Sequence, residues 1–413
     1  MRARTVIAAT VLFAPLALCG CSGGGPGAET SVDAASLVSV SPAAPAKGTA
    51  QPNTPLVVKA LRGTLTDVTV TTADGHHLGG SLDTDGRNWR SDGTLSAGQH
   101  YSVRVTADNG DGGRGSTVEA LTTGPAPEAL TAVLTPGDHA VYGVGEPITA
   151  TLSLPVHDPA ARKVVESGLT VRSNPSVTGS WYWVDDKTLH FRPQSYWPAH
   201  ADISASFDLA GRHVSGDVYG GGTSRIAFST GDKMLAYTDA GSHYMTVYRN
   251  GDEINSIPIT TGKPGFSTRS GIKVVLEQAP VVFMNSSTVG IAADSSDSYH
   301  KDVSWDTRVT WSGEYVHAAP WSVGEQGVAN VSHGCTGMST GNAHWFYENF
   351  RRGDLVQVVN SYGHEMEHFG NGYGDWNIDW DDWKQGSALH QVVHTAGVDA
   401  KPTAPVGFLR PQA

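Results

Sequence analysis

The sequence predicts a mainly β protein: two tandem β-sandwiches, then a third β-rich domain with one principal helix, then a small C-terminal subdomain. Three observations carry this. Glycine (49) and proline (22) are abundant, and with many Thr, Ser and Val they favour short strands and turns. Runs such as "HYSVRVTADNG" alternate, placing Tyr101, Val103 and Val105 on one strand face. From about 232 onward, one clear helix follows Cys335 among the β-runs.

The chain has 413 residues, enough for about two to four domains. Residues 1–20 read as a signal segment: a basic start with Arg2 and Arg4, then the apolar run "TVIAATVLFAPLAL". It ends in "LCGC", which looks like a bacterial lipoprotein box and implies cleavage before Cys21 and acylation of Cys21. Residues 21–54, rich in Ala, Pro, Gly and Ser without periodicity, read as a flexible linker. Residues 55–124 alternate between turn signals ("ADG", "TDG", "DNGDGG") and form the first sandwich; residues 125–231 repeat the idiom as the second. Trp89, Asp92, Thr94 and Leu95 recur as Trp183, Asp186, Thr188 and Leu189, as expected for tandem copies of one unit. The tryptophans read as core anchors.

The texture changes from 232 to 360, where aromatics, histidines and β-runs are dense. Ser339 or Thr340 caps a helix whose Ala343, Phe346, Tyr347 and Phe350 share a face, and Gly353 ends it. "DLVQVV" resumes as a strand. Residues 361–397 form the aromatic, acidic subdomain, whose tryptophans are expected to pack on the preceding domain, and 398–413 form a tail.

The formal charge is −12. An acidic chain without a basic run argues against nucleic acid. The cysteines are more informative. Cys19 leaves with the signal and Cys21 is acylated, so Cys335 has no intramolecular partner. A lone cysteine in an exported chain is a reactive thiol, a bridge to another molecule, or a small buried hydrophobe. A reactive thiol needs a base and oxyanion donors. Cys335 stands just ahead of the capped helix, with His333 two residues upstream and His317 closing the strand "WSGEYVHAAPWS". Gly334 permits the close backbone approach that amide donors require. His364 and His368 in "HEMEH" have the four-residue spacing of H-E-x-x-H, but they sit in a Gly-bounded polar segment, where that motif needs a helix and a third ligand. No metal and no cofactor are expected.

The stretch "YVHAAPWSVGEQGVANVSHGCTGMSTGNAHWFYENFRRGDLVQVVN" resembles the L,D-transpeptidases of bacterial cell walls, of the actinobacterial multi-domain lipoprotein type with N-terminal immunoglobulin-like domains. The agreement lies in the His-to-Cys spacing, the Ser-His-Gly-Cys core, Ala-Pro-Trp-Ser and the Arg-Gly-Asp turn. "TTGKPGFSTRSGIKVV" and "GDWNIDWDDW" resemble flanking segments of the same subgroup. The resemblance implies that Cys335 is the nucleophile and His317 the base. The carbonyl of Ala318, where the family usually has Ser, orients the imidazole. His333, Gly334 and Cys335 make the turn whose amides meet the oxyanion. Tyr299 belongs to a lid hairpin that holds substrate, Ser312 and Gly313 to a strand beside the stem peptide, and Trp321 to the cleft rim. Gly337 stands where the family often has Asn or Arg, and Val289 where a second lid aromatic is expected.

The implied activity is a peptidoglycan L,D-transpeptidase, forming 3→3 cross-links through a cysteinyl thioester with release of D-alanine. The implied partners are donor and acceptor stem peptides, carbapenem inhibitors, and the plasma membrane through the lipid on Cys21. Left open are hydrolysis of the same acyl-enzyme, as an L,D-carboxypeptidase or cysteine peptidase, transfer of the acyl group to a protein, and a non-catalytic wall-binding array. The sandwiches are expected to space the catalytic domain off the membrane.

Overall fold

The computed structural model describes residues 30–43, 48–395 and 397. The signal segment, Cys21 and the tail lie outside them. The described chain is sheet-rich and falls into two compact units. One gathers residues up to 41 with 56–92 and 102–120; the other takes 42–55, 93–101 and 121 onward.

The first sandwich has two four-stranded sheets. Each strand alternates because one face is buried: Leu56 and Val58 on Pro55–Ala60, and Val103, Val105 and Ala107 on His100–Asp108. The expected linker is corrected here. Val38–Ser41 pairs antiparallel with Pro55–Ala60, and Thr30–Ser31 runs parallel to Gly113–Thr122. Leu37 and Val38 are buried, so two short apolar steps in a polar tract suffice to seat a strand.

The second sandwich opposes a five-stranded and a four-stranded sheet around Trp181, Phe191, Trp197, Phe207 and Phe228. The four-residue repeat is not a structural equivalence. Trp89 and Thr94 lie along one strand, Asn88–Thr94, whereas Trp183 and Leu189 face each other across a hairpin. The two stretches share a sequence idiom, not a position in the fold.

The region from about 232 to 360 holds two sheets. In the five-stranded one, Met234–Asp239 runs parallel to Leu355–Val359, so the first and last strands of the region are neighbours. The four-stranded one runs in order Glu277–Asn285, His300–Arg308, Tyr315–Ala318 and Thr336–Met338. The helix Thr340–Asn349 has Ser339 as its N-cap, accepting from Asn342 N–H. It buries Ala343 and Phe346 in a core with Val316, Met338 and Val358. Phe350 caps its C-terminus, three residues before Gly353.

The C-terminal tryptophans pack on the second sandwich, and Asn377 beside Trp376 also ties this segment to Ile272 of the preceding region. Val393–His394 adds an edge strand beside Thr178–Trp183. Trp383 Nε1 donates to Ser180 O (2.9 Å) and Trp376 Nε1 to Gly145 O (2.8 Å). The Arg192 guanidinium lies over the rings of Trp376, Trp380 and Trp383, and buried His190 meets buried Asp375 at 2.7 Å.

Candidate active site

Two short parallel strands build the centre. Val316 pairs with Thr336 and His317 with Gly337. Residues paired in register share a face, and alternate residues return to it. Val316, Ala318, Thr336 and Met338 therefore face the buried side, while His317, Gly337 and Cys335 face the other. There Cys335, His317, His333, Tyr299, Trp321 and Gly337 line one cleft of about 320 Å³.

Gly337 is required where it stands. Its N–H and C=O pair with Thr260 (2.8 and 2.9 Å), and a Cβ there would meet Ala319 Cβ at 2.9 Å and Thr260 Cγ2 at 3.2 Å. The place where the resemblance leads one to expect Asn or Arg is thus closed by two neighbours.

His317 is buried. Its Nδ1 lies 2.8 Å from Ala318 O. A carbonyl only accepts, so Nδ1 carries the proton and Nε2 is left as the basic nitrogen. Burial pushes the imidazole down to about 4, the Ala318 bond opposing and the Lys301 charge adding to the fall. The ring stacks on Trp321 (centroids 6.0 Å, 29°).

Cys335 reaches the cleft wall, with Sγ 3.5 Å from Gly313 O. Burial pushes its thiol up to about 12. The Tyr315 backbone draws it back, and the Glu314 charge raises it further. Burial thus favours the neutral form of both the thiol and the imidazole.

The turn before the cysteine is clamped. Gly334 has φ +117°, a conformation that favours glycine. Its carbonyl accepts from Thr268 Oγ1 (2.8 Å), and Ser332 Oγ donates to Cys335 O (2.6 Å). Gly334 N–H donates to Ser332 Oγ at 3.2 Å, so this amide is turned back on its own loop rather than free for an oxyanion. The His333 ring lies between Phe266 and Tyr299, and its Nε2 is 3.3 Å from Asp297 Oδ1. Asp297 also pairs with Lys263. Those two partners hold the Asp297 carboxyl below the usual range.

Ser312 and Gly313 lie in a turn, not a strand. Gly313 N–H closes the turn on Thr310 O (3.2 Å). Ser312 is held by Asn371, N–H to Oδ1 at 2.7 Å and Nδ2 to Oγ at 2.9 Å. Val289 sits in a short helical turn, Ser286–Val289.

Sequence reasoning missed the charges behind the sulfur. Glu314, buried, takes Lys273 Nζ at 2.5 Å, Arg269 Nη1 at 3.2 Å and the Arg269 N–H at 2.9 Å. Arg269 continues to Glu367 (2.9 Å), and Glu367 to Asn371. The histidines of "HEMEH" are used here: His364 meets Glu367 and His368 meets Glu365. The available signal was one charge inside each of two apolar runs, "GIKVV" and "GEYVH".

Comparison with known proteins decides the family. The model for the L,D-transpeptidase catalytic domain matches residues 234–358, and that for a bacterial Ig domain matches 47–213. The chain is 34% identical over 334 residues to L,D-transpeptidase 2 of Mycobacterium tuberculosis, covering 81% of each. The chain belongs to the L,D-transpeptidase family. It is also 36% identical over 228 residues to L,D-transpeptidase 1 of Mycobacterium tuberculosis, covering 55% of this chain and 84% of that one. Among solved structures, an L,D-transpeptidase from Mycobacterium smegmatis is 36% identical with a TM-score of 0.46, covering 56% of this chain and 99% of that one. An LD transpeptidase in complex with imipenem is 34% identical with a TM-score of 0.48, covering 56% and 99%. As an L,D-transpeptidase the chain is a cysteine-dependent acyltransferase with an Ig-like domain ahead of its catalytic domain.

Proposed function

We propose that this chain cross-links peptidoglycan, with Cys335 as nucleophile and His317 as base and acid. The observation that supports these roles is the parallel pairing of Tyr315–Ala318 with Thr336–Met338, which gives the two side chains one face and one cleft.

The electrostatics shape the mechanism. A raised thiol and a lowered imidazole do not exchange a proton at rest. Deprotonation of Cys335 by His317 Nε2 therefore accompanies attack on the carbonyl of the diamino-acid residue in a donor tetrapeptide stem. The His333 and Cys335 amides of the turn receive the oxyanion, Gly334 N–H being engaged by Ser332 Oγ. The imidazolium, destabilised by its burial, returns its proton to the departing amine; the C–N bond breaks and D-alanine leaves. The thioester on Cys335 is then attacked by the side-chain amine of a second stem, deprotonated by His317, and the thiol is restored. Tyr299, Trp321 and the Asp297-held His333 border the substrate. Ser312 and Gly313 border it from the turn, with the Gly313 carbonyl facing the sulfur. Gly337 leaves the acceptor side without a polar side chain.

The site of action is extracytoplasmic. We assign the finer placement, acylation of Cys21 and anchorage to the outer face of the membrane with the sandwiches as spacer, to the N-terminal sequence. Carbapenems are proposed to acylate Cys335.

Intact-protein mass spectrometry with a carbapenem tests the nucleophile: wild type gains one adduct and Cys335→Ala none. An adduct that persists in Cys335→Ala rejects the assignment. Incubation with disaccharide-tetrapeptide tests the reaction: dimers with D-alanine release support transpeptidation, and D-alanine release without dimers identifies hydrolysis.

A further inference from the structure

Three lysines stand around Cys335, and two of them are neutralised: Lys263 by Asp297 and Lys273 by Glu314. Lys301 is different. Among the described residues it has no ion-pair partner. Its Nζ lies 4.0 Å from the centre of the Trp321 ring. That contact steadies an ammonium without cancelling its charge.

Its position follows from the strand. Tyr299, Lys301 and Val303 line the cleft at alternate positions, with Met284, the cross-strand partner of Lys301, beside them. Trp321 carries the Lys301 ammonium and also stacks on His317. The cation therefore shares one aromatic ring with the imidazole. Its charge reaches that imidazole, adding to burial in holding it below the ordinary histidine range.

The chemistry of acyl transfer says what belongs there. The acid that protonates a departing amine must face that amine. In a terminal amino acid the carboxylate is two bonds from the amine nitrogen, so it falls beside the same acid. An acceptor amine on a carbon that also bears a carboxylate presents the same pair of groups. Asp297, the acid lining the same cleft, is already occupied by Lys263 and His333.

We propose that Lys301 is a specificity-determining residue that takes the terminal carboxylate of the donor stem beside His317, and then the carboxylate adjoining the acceptor amine. This rests on the proposed transpeptidase function. Lys301 exchanges no proton in the step. It fixes the leaving group so that the scissile nitrogen meets Nε2, and it ranks donors by whether their last residue ends in a free carboxylate.

The experiment uses the full chain with two donors, a disaccharide-tetrapeptide ending in free D-alanine and its counterpart ending in D-alaninamide, and reads kcat/KM for release of the last residue. Wild type favours the free acid by about tenfold or more. Lys301→Met loses about tenfold on the free acid and little on the amide, and Lys301→Arg retains the preference. Iodoacetamide labelling of Cys335 at the wild-type rate shows that the cleft of each variant is intact. Equal loss on both donors, or loss on neither, overturns the role of Lys301 alone. A wild type that turns over neither donor, though its thiol is labelled, overturns the transpeptidase reading and this one with it.

Discussion

Lys273 Nζ lies 2.5 Å from Glu314 Oε2, and both side chains are buried behind the turn that carries Cys335. Glu314 also takes Arg269, so the two halves of the pair are not equivalent. Removing Glu314 leaves Lys273 as a buried charge with no partner. Removing Lys273 leaves Glu314 still held by Arg269.

Glu314→Gln is expected to lose about 3 kcal/mol of unfolding free energy, and Lys273→Met clearly less, by urea denaturation. The thiol should respond in opposite senses. Glu314 raises the Cys335 thiol and Lys273 lowers it. Iodoacetamide alkylation at pH 8 is therefore expected to speed up in Glu314→Gln and slow in Lys273→Met. Equal stability losses with unchanged alkylation would remove this network from the account of the thiol.

His317 predicts a pH-dependent loss of stability. Its pKa falls from 6.5 to about 4 on folding. Between those values the unfolded chain binds a proton that the folded one refuses, so stability declines as the pH falls through this window. The contribution reaches about 3 kcal/mol at its acid end. His317→Asn lacks the group. Urea midpoints measured from pH 7 to 4 should therefore decline less steeply in the variant than in wild type.

Asp306 carries the opposite slope. It is fully buried, and neither carboxylate oxygen has a partner in hydrogen-bonding geometry among the described residues. Burial raises it from 3.8 to about 7, the Val282 amide opposing. A raised acid stabilises the fold at low pH, and that stability is lost as the pH rises toward 7. Asp306→Asn should match wild type near pH 4 and exceed it at pH 8. A constant difference across that range would show that Asp306 does not titrate with folding.

Gly337→Ala tests the closed place opposite His317. The added carbon meets Ala319 and Thr260 inside ordinary contact, and relief requires the Thr336–Met338 strand to shift. A loss of about 1–3 kcal/mol in stability is expected, with carbapenem acylation slowed about tenfold as Cys335 moves relative to His317. Wild-type acylation would mean that the strand absorbs the side chain without moving the sulfur.

How much of this was legible is best judged residue by residue. The helix after Cys335 was, because its cap and its buried face are local in sequence and Ser339, Ala343 and Phe346 obey simple periodicity. That Cys335 and His317 line one cleft was legible only through family resemblance, since parallel strands leave no short-range mark of their register. The strand at Val38–Ser41 was hidden by its brevity in an Ala- and Pro-rich tract. Lys273 and Glu314 each looked like one stray charge in an apolar run; that they neutralise each other depends on a contact 41 residues apart. The place of Ser312 in a turn depends on Asn371, a residue from beyond the last strand of the catalytic region.

The return of Val393–His394 to Thr178–Trp183 has a consequence for biogenesis. The edge of that sheet stays open until the last part of the chain has emerged, more than two hundred residues after the strand it covers. Such distant closure is slow, and in the interval the strand Thr178–Trp183 offers its unpaired backbone to any passing strand. A protease cut ahead of residue 393 would return the mature molecule to that adhesive state while leaving every residue of the cleft in place.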